Sequence, residues 1–189
     1  MNVCKLAFDL GAKLAKERFR PKALVFVYND EGKVLAAPDK WSKHLPYRRY
    51  YLPGGGIDRG EDTNTAAKRE VKEETGHELK HVHSLNVWPR QFEWDEKTKA
   101  RNAKHGRPFD GNVVFMRAAK SHGQVDDHEK LPDKIDGLKF LSIPRLARVW
   151  SKSSKDETNT HKELDKHNLA ALRKLQLLLR KVPVSKTTD

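Results

Sequence analysis

Gly55-Gly56-Ile57-Asp58-Arg59-Gly60-Glu61-Asp62-Thr63-Asn64-Thr65-Ala66-Ala67-Lys68-Arg69-Glu70-Val71-Lys72-Glu73-Glu74-Thr75-Gly76 is the most informative stretch of this 189-residue chain. Its pattern predicts a helix over 63–75 that Gly76 ends. Glu70, Glu73 and Glu74 then stand at positions i, i+3 and i+4, so their carboxylates share one helix face. Such a like-charged group is destabilising without a cation, and Mg²⁺ and Mn²⁺ prefer oxygen ligands. The stretch therefore predicts a divalent-metal site.

Features around this helix support a built site rather than a charged surface helix. Glycines at 54–56 permit a tight turn and a close approach of backbone to ligand, so a main-chain carbonyl there can add an oxygen to the metal. Arg69 lies four residues before Glu73 and can pair with it or reach back to Glu61. A solvated surface helix would require neither the glycines nor Glu61 at these distances.

These residues resemble the signature of the Nudix hydrolase family, Gly-x5-Glu-x7-Arg-Glu-U-x-Glu-Glu-x-Gly-U, in which U is a bulky aliphatic residue. Val71 occupies the first aliphatic position, and every charged and glycine position matches, namely Gly55, Glu61, Arg69, Glu70, Glu73, Glu74 and Gly76. His77 departs from the pattern, because an aliphatic side chain is expected there. Since that side chain normally packs, we expect a local change of packing and no loss of catalysis.

The resemblance implies an α/β/α sandwich with a mixed sheet, and hydrolysis of a pyrophosphate bond in a nucleoside diphosphate derivative by attack of water on phosphorus. The residues matching Glu70, Glu73 and Glu74 bind the cations, Mg²⁺ or Mn²⁺, together with the carbonyl of Gly54. Glu70, or a carboxylate elsewhere, orients or deprotonates the water. Arg69 belongs to the same catalytic group, and the loop is shaped by Gly55, Glu61 and Gly76. In this family a further acidic residue often comes from outside the signature, which is called the Nudix box, and the candidates are Glu93, Asp126, Asp127 and Glu129.

The rest of the chain alternates strands with helices, which favours an α/β layered architecture with helices on both faces of a mixed sheet. We predict a β-hairpin over 23–37, a short strand at 50–52, strands at 82–88, 112–118 and 138–143, and a helix at 144–150. One domain over 1–189 is expected. Its parts are an N-terminal helix (1–20), a core (21–150), a linker (151–160), a C-terminal helix (161–182) and a tail (183–189).

Charge and composition restrict the function classes. The chain carries a net charge of +12, whereas residues 56–78 hold seven acidic and four basic residues. A basic protein with an acidic centre suits a polyanionic ligand held by Lys and Arg near metal-binding carboxylates, although a basic surface also serves solubility. No stretch has the length of a membrane span or the composition of an export leader. The single cysteine, Cys4, favours a reducing, cytoplasmic compartment.

Two basic, aromatic segments are candidates for substrate contact. In the loop over 40–49, an aromatic ring and several cations can bind a base and phosphates, the residues being Trp41, Lys43, Arg48 and Arg49. A solvated loop fits the same residues equally well. The insert over 89–111 is either a substrate-specific arm or a flexible hairpin tip. His81 and His83 lack metal-ligand spacing and are expected on the outer side of a strand.

Three substrates fit these features: a nucleotide-derived small molecule, an RNA 5′ end that is trimmed or decapped, and a diphosphoinositol polyphosphate. A non-catalytic module of the same fold that binds nucleic acid is the rival from another class, and the intact glutamates argue against it. The sequence leaves the choice between a monomer and a homodimer open.

Overall fold

The structure, a computed structural model, describes residues 18–42, 45–106, 109–124 and 135–181. Most of the predicted N-terminal helix and all of the predicted tail over 183–189 lie outside the described residues. The prediction of a helix as far as residue 20 was wrong, because Phe19 and Arg20 begin a β-strand. Their partners, Gly111 and Asn112, are remote in sequence, so local periodicity does not reveal the pairing.

A seven-stranded mixed sheet forms the centre of the molecule. Five strands follow the order β3-β2-β1-β6-β4, while β5 pairs with β6 and β7 pairs with β2. The β1–β6 pair is parallel and the other pairs are antiparallel. The strand bounds are β1 Phe19–Tyr28, β2 Val34–Pro38, β3 Tyr50–Tyr51, β4 His77–Ser84, β5 Arg90–Glu93, β6 Gly111–Gln124 and β7 Lys139–Leu141.

Helices cover both faces of the sheet. The described α-helices are α1 Thr63–Thr75, α2 Glu96–Lys104, α3 Ile143–Ser153 and α4 Lys162–Lys181. Alternate residues of β1 face two different hydrophobic clusters, as a pleated strand requires. Ala23, Val25 and Val27 pack with residues of α1, whereas Leu24 and Phe26 pack with residues of α3 and α4. The predicted α/β/α sandwich is therefore confirmed.

Helix α4 is a core element. Its buried apolar residues are Ala171, Leu172 and Leu175, which join the cluster that also contains Trp150 of α3. Leucines at helical spacing therefore pack this helix against the sheet. In the part of the chain that the structure describes, no helix combines the length and apolar composition of a membrane span.

Several element boundaries differ from the predictions, among them those of β6, which covers Gly111–Gln124 instead of 112–118, and β7, which covers Lys139–Leu141 instead of 138–143. The strand expected over 82–88 instead covers His77–Ser84 as β4. Its first half contains exposed charged residues and gives no hydrophobic strand pattern, so only the pairing with β6 defines it. Helix α3 continues three residues into the predicted linker. This last turn is stabilised because the buried Ser153 hydroxyl donates to Asp165 of α4 over 2.7 Å.

The insert over 89–111 contains an edge strand and a helix rather than a featureless loop. Strand β5 pairs with the first residues of β6, and α2 follows it. Asp95 caps α2 by accepting a hydrogen bond from the backbone N–H of Thr98 over 2.7 Å. No residue of α2 is buried, so the helix contributes little apolar packing.

His167 of α4 makes the stability of this fold pH-dependent. Burial lowers the pKa of His167 from 6.5 to about 4, a decrease opposed by a hydrogen bond to the Val114 backbone and strengthened by Arg90. The unfolded chain then binds a proton that the folded chain excludes, so stability falls as the pH drops below 6.5. We expect a loss of roughly 2 kcal/mol between pH 7 and pH 5 from this group.

Urea unfolding at both pH values checks this expectation. A His167→Phe variant should show a smaller loss of stability upon acidification than the wild type. Equal losses in the two proteins would mean that His167 does not carry the pH dependence.

Candidate active site

Helix α1 carries the predicted carboxylates and is fixed at both ends. The Asp62 side chain caps its N-terminus, accepting from the backbone N–H groups of Asn64 and Thr65 over 2.7 and 2.9 Å. These hydrogen bonds lower the pKa of Asp62. Gly76 ends the helix in the left-handed conformation, with φ at 72°, and its N–H donates to Lys72 O. Both ends of the predicted helix, 63–75, are confirmed.

Packing of α1 determines where its polar face lies. Ala66, Ala67 and Val71 are fully buried against the sheet. Glu70, Glu73 and Glu74 are only partly exposed. They therefore lie at the rim of the interface between helix and sheet, where carboxylates are partly desolvated but can still reach a ligand.

Arg69 connects the carboxylates of this region. Its Nε and Nη2 donate to the two oxygens of Glu61 over 3.0 and 2.9 Å, and Nη2 also donates to Gly56 O over 2.9 Å. Its Nη1 donates to Glu70 Oε1 over 3.0 Å and to Glu73 Oε2 over 3.2 Å. These hydrogen bonds, first of all those to Glu61, raise the pKa of Arg69 and lower that of Glu61. This geometry favours a positioning role for Arg69.

The glycine segment before α1 lies beside β1 and brings backbone into contact with the carboxylates. The N–H groups of Ala23 and Val25 donate to the carbonyls of Gly55 and Pro53, both over 2.9 Å. The Gly54 N–H donates to Glu74 Oε2 over 2.7 Å. Glu74 is therefore held against the segment whose Gly54 carbonyl was predicted to bind metal.

Gly55 and Gly56 allow charged side chains to approach from two sides. A Cβ atom on Gly55 would overlap the Glu70 carboxylate, and one on Gly56 would overlap the Arg20 guanidinium. Successive residues of an extended chain face opposite sides, so the carboxylate and the guanidinium contact this segment from opposite faces. Any larger residue at either position would displace one of these charged groups.

Two cations of β1 that the sequence patterns did not reveal complete this arrangement. Lys22 forms a β-bridge with Gly56, and Arg20 lies two residues earlier on the same side of the strand. Burial lowers the pKa of Lys22 and Arg20 adds to the decrease, while Glu74 and Glu70 oppose it. A signal existed in the sequence, because cations at positions i and i+2 of a strand share one face.

The donor set suits a hard divalent cation. Among residues 18–42, 45–106, 109–124 and 135–181, no three acidic, histidine or cysteine side chains converge on one point in the manner of a metal site. Arg69 takes up one oxygen of Glu70 and one of Glu73, and it also pairs with Glu61. Three carboxylates thus accept hydrogen bonds from one guanidinium, and Asp58 lies 3.6 Å from it, which leaves negative charge for a metal ion to compensate. Partly buried carboxylates with excess negative charge fit Mg²⁺ or Mn²⁺.

Comparison with a protein-family model decides the relationship that this geometry suggests. A model of the NUDIX domain matches residues 18–164. The chain belongs to the Nudix family. The prediction of an enzyme, a Nudix-type pyrophosphohydrolase, is confirmed at this level, and Nudix hydrolases generally use divalent metal ions.

Several individual proteins are similar to this Nudix chain. An RNA pyrophosphohydrolase of a Nitratiruptor species is 31% identical over 144 residues, covering 70% of this chain and 84% of that protein. One from Campylobacter jejuni is 29% identical over 137 residues, covering 69% and 82%. One from Acinetobacter baylyi is 38% identical over 66 residues, which is 35% of this chain and 37% of that protein. Among solved structures, a NUDIX hydrolase from Nitrosomonas europaea has a TM-score of 0.50 at 18% identity, covering 79% of this chain and 89% of that one, and supports the fold.

Arg49 is buried between two carboxylates and not on the surface, where a phosphate could reach it. It is 3% exposed, and its Nε and Nη2 donate to Asp165 of α4 over 2.8 and 2.9 Å. Its Nη1 donates to Asp39 over 2.6 Å. This placement favours a structural role for Arg49 over the substrate contact expected from the sequence, because both sides of the guanidinium are already occupied by buried carboxylates.

Of the other substrate-contact candidates in the loop over 40–49, the structure describes only the side chain of Arg48. Arg48 is exposed and lines a shallow cavity of about 470 Å³ together with Lys40 and Tyr47. Burial, and a hydrogen bond to Asp156, raise the pKa of Tyr47 to about 12. Lys43 and the side chain of Trp41 lie outside the described residues.

Of the acidic candidates outside the Nudix box, the structure describes Glu93. Its side chain is exposed and accepts a hydrogen bond from Lys99 over 2.7 Å. This contact favours a role in holding α2 to β5. The remaining candidates, Asp126, Asp127 and Glu129, lie outside the described residues.

The structure shows where His77, His81 and His83 lie. His77, which replaces the aliphatic residue of the box, is buried, with its ring centroid 5.7 Å from that of Phe140 and its Nδ1 at 2.7 Å from Ser121 Oγ. The substitution therefore changes local packing without entering the carboxylate cluster. His81 and His83 are exposed on β4, as expected.

Proposed function

We propose that this Nudix enzyme cleaves a phosphoanhydride bond in a derivative of a nucleoside diphosphate by attack of water on phosphorus. The observation that carries the proposal is the contact of Glu70 and Arg20 with two consecutive glycines from opposite faces. The carboxylates proposed to bind metal and the cations proposed to bind phosphate are therefore separated only by this glycine segment. A pyrophosphate bridge requires both, because its oxygens are anionic and its phosphorus must accept a nucleophile.

The proposed metal ligands are the carboxylates of Glu70, Glu73 and Glu74 and the carbonyl of Gly54. A bound Mg²⁺ or Mn²⁺ ion would lower the pKa of a coordinated water and neutralise charge on the phosphate oxygens. In this proposal Glu70 also orients or deprotonates the attacking water. The contact of Glu70 with Gly55 supports this role, because it leaves the carboxylate little freedom to move.

The surrounding residues act by positioning. Arg69 holds Glu61, Glu70 and Glu73 in fixed relative places. Arg20 and Lys22 lie on the opposite face of the glycine segment and bind substrate phosphates as charge partners. The exposed Arg48 can meet a more distant phosphate, as predicted from the sequence.

Within this substrate class, the 5′ end of an RNA is the best-supported member. Relatives that are about 30% identical over most of their length are RNA pyrophosphohydrolases. The net charge of +12 also suits a long polyanion. There are three alternatives: a small nucleotide derivative, a diphosphoinositol polyphosphate and a non-catalytic RNA-binding role. A panel of substrates separates them.

The test is incubation with Mg²⁺ and a panel of potential substrates, with products resolved by mass. The panel contains nucleoside triphosphates, nucleotide sugars, dinucleoside polyphosphates, diphosphoinositol polyphosphates, and 5′-triphosphorylated or capped RNA. Cleavage of the RNA alone supports the proposed substrate, whereas preferential cleavage of one small-molecule class overturns it. RNA binding without any cleavage would favour the non-catalytic alternative.

RNA binding through the basic residues should depend strongly on salt. Contacts by Arg20 and Lys22 predict a slope of log K against log salt of about −1.4 or steeper for single-stranded RNA, since each contacted phosphate contributes about −0.7. Fluorescence anisotropy with a labelled 5′-monophosphorylated RNA measures this slope.

A matched pair of variants controls that measurement. Lys22→Met should reduce the slope by about 0.7. Lys72→Met, which removes an exposed lysine paired with Glu78, should leave the slope unchanged. A flat salt response in the wild type would contradict the RNA assignment.

The expected cytoplasmic location rests on the single cysteine and stays a prediction. The single-domain organisation over 1–189 and the choice between monomer and homodimer likewise stay open to measurement, by limited proteolysis and by sedimentation.

A further inference from the structure

The sheet places a further cation, Arg90, in register with the proposed phosphate-binding residues. Lys22 of β1 pairs with Val114 of β6, and Val114 pairs with Arg90 of β5. Since Lys22 also bridges Gly56, one cross-strand row leads from the glycine segment to Arg90. Three strand spacings span about 14 Å, and cross-strand partners share one face of the sheet.

The neighbouring row forms the accessible side of this path, because Arg20, Asn112 and Phe92 are partly exposed whereas Val114 is buried in the core. Arg20 pairs with Asn112, and Asn112 pairs with Phe92 of β5. Phe92 packs against His167 of α4, with ring centroids 5.9 Å apart. Helix α4 therefore borders the path at the end that is remote from the carboxylates.

Arg90 is available for a further contact at this remote end. Its Nη1 lies 3.6 Å from Glu163 Oε2, and both side chains are about half exposed. An exposed pair at this distance stabilises the fold little, so a phosphate can replace the carboxylate at small cost.

Trp88 lies two residues before Arg90 and is 78% exposed. Its neighbours Leu85 and Val87 pack into or against the core, so Trp88 does not belong to a broad apolar patch of the kind that binds proteins. An isolated aromatic ring next to cations instead matches the surfaces on which unpaired nucleobases stack. Helix α2, which follows β5 in the chain, carries further exposed cations, which are Lys97, Arg101 and Lys104.

We propose that Trp88 and Arg90 bind the nucleotides that follow the first nucleotide of a single-stranded RNA substrate. Trp88 stacks on a base and Arg90 binds a phosphate of the chain. About 14 Å from the glycine segment lies beyond the triphosphate of a single nucleotide, so this contact requires a chain that continues past the first nucleoside. The inference rests on the proposed function and extends it to a preference for single-stranded RNA over free nucleotides.

Steady-state kinetics on two substrates test the proposal. With a 5′-triphosphorylated eight-nucleotide RNA, Trp88→Ala should raise KM about tenfold and leave kcat nearly unchanged, since stacking contributes to binding and not to the chemical step. With a nucleoside triphosphate, the same variant should match the wild type. Trp88→Phe should retain most of the affinity for the RNA.

Leu177→Ala is the matched control, because Leu177 is a large hydrophobic side chain exposed on α4, 51% accessible, outside the proposed path. It should leave both substrates unaffected. An unchanged KM for the RNA in Trp88→Ala, or an equal increase in KM for both substrates, would overturn the proposal.

Direct binding separates this proposal from the proposed function. Anisotropy with a labelled 5′-monophosphorylated eight-nucleotide RNA should show about tenfold weaker binding by Trp88→Ala, whether or not any RNA is hydrolysed. Weaker binding without hydrolysis in the wild type would overturn the proposed function and support the RNA contact. Hydrolysis with equal binding by wild type and Trp88→Ala would overturn the RNA contact and leave the proposed function standing.

Discussion

Replacing Glu73 by Gln is expected to lower turnover by at least about 10²-fold, because the substitution removes a carboxylate from the proposed metal ligands and weakens charge stabilisation in the transition state. The fold should remain intact. Glu73 is partly exposed, and the amide oxygen of Gln can still accept the hydrogen bond that Arg69 donates over 3.2 Å. The measurement is kcat on the best substrate with Mg²⁺, together with the thermal unfolding temperature.

Glu78→Gln provides the control for this substitution. Glu78 is an exposed glutamate of β4 that pairs with Lys72 outside the carboxylate cluster. Its replacement should change turnover less than about twofold. Near-normal turnover in a folded Glu73→Gln protein would refute the assignment of Glu73 to the metal site.

Asp165→Ala is expected to destabilise the protein by about 3–5 kcal/mol, because it leaves the buried Arg49 guanidinium without its bidentate partner. Asp165 is fully buried and accepts hydrogen bonds from Arg49, Ser153 and Asn159. These contacts connect α4 to the loop that precedes β3. Urea unfolding at neutral pH measures the loss.

A second variant on the same helix shows whether burial causes this effect. Glu163→Ala removes an exposed carboxylate that pairs with Lys166 and Arg90, and should cost less than about 1 kcal/mol. A loss of under 1 kcal/mol in Asp165→Ala would contradict the structural role assigned to the buried pair.

The helix that carries the site could be predicted from sequence because its signals are local. The cap residue Asp62, the terminating Gly76 and the glutamate spacing all lie within fifteen residues of one another. The sequence also offered Glu73 and Glu61 as alternative partners of Arg69, and the structure shows hydrogen bonds to both. Local sequence therefore specifies the acidic half of the candidate site.

The basic half depends on contacts that sequence periodicity does not contain. Arg20 and Lys22 reach the glycine segment only because β1 lies beside residues 53–57. Arg49 resembles its surface neighbour Arg48 in sequence, but its partner Asp165 is 116 residues away. Separating a buried arginine from an exposed one requires knowledge of that partner, which only the tertiary fold supplies.

The insert over 89–111 likewise contains a strand that local sequence does not predict. Its polar composition gives no strand signal, yet β5 forms because β6 is long enough to pair with β4 along one part and with β5 along another. This pairing is what places Arg90, two residues after Trp88, in the cross-strand row that leads from the glycine segment.

The most direct test of the central claim is hydrolysis of 5′-triphosphorylated RNA in ¹⁸O-labelled water with Mg²⁺, followed by mass analysis of the products. We predict cleavage of a phosphoanhydride bond with one ¹⁸O atom incorporated into a phosphate product, abolished by chelation and reduced at least about 10²-fold in Glu73→Gln. Cleavage that continues unchanged after chelation, or in the folded Glu73→Gln protein, would contradict a metal-dependent reaction at the glutamates of α1.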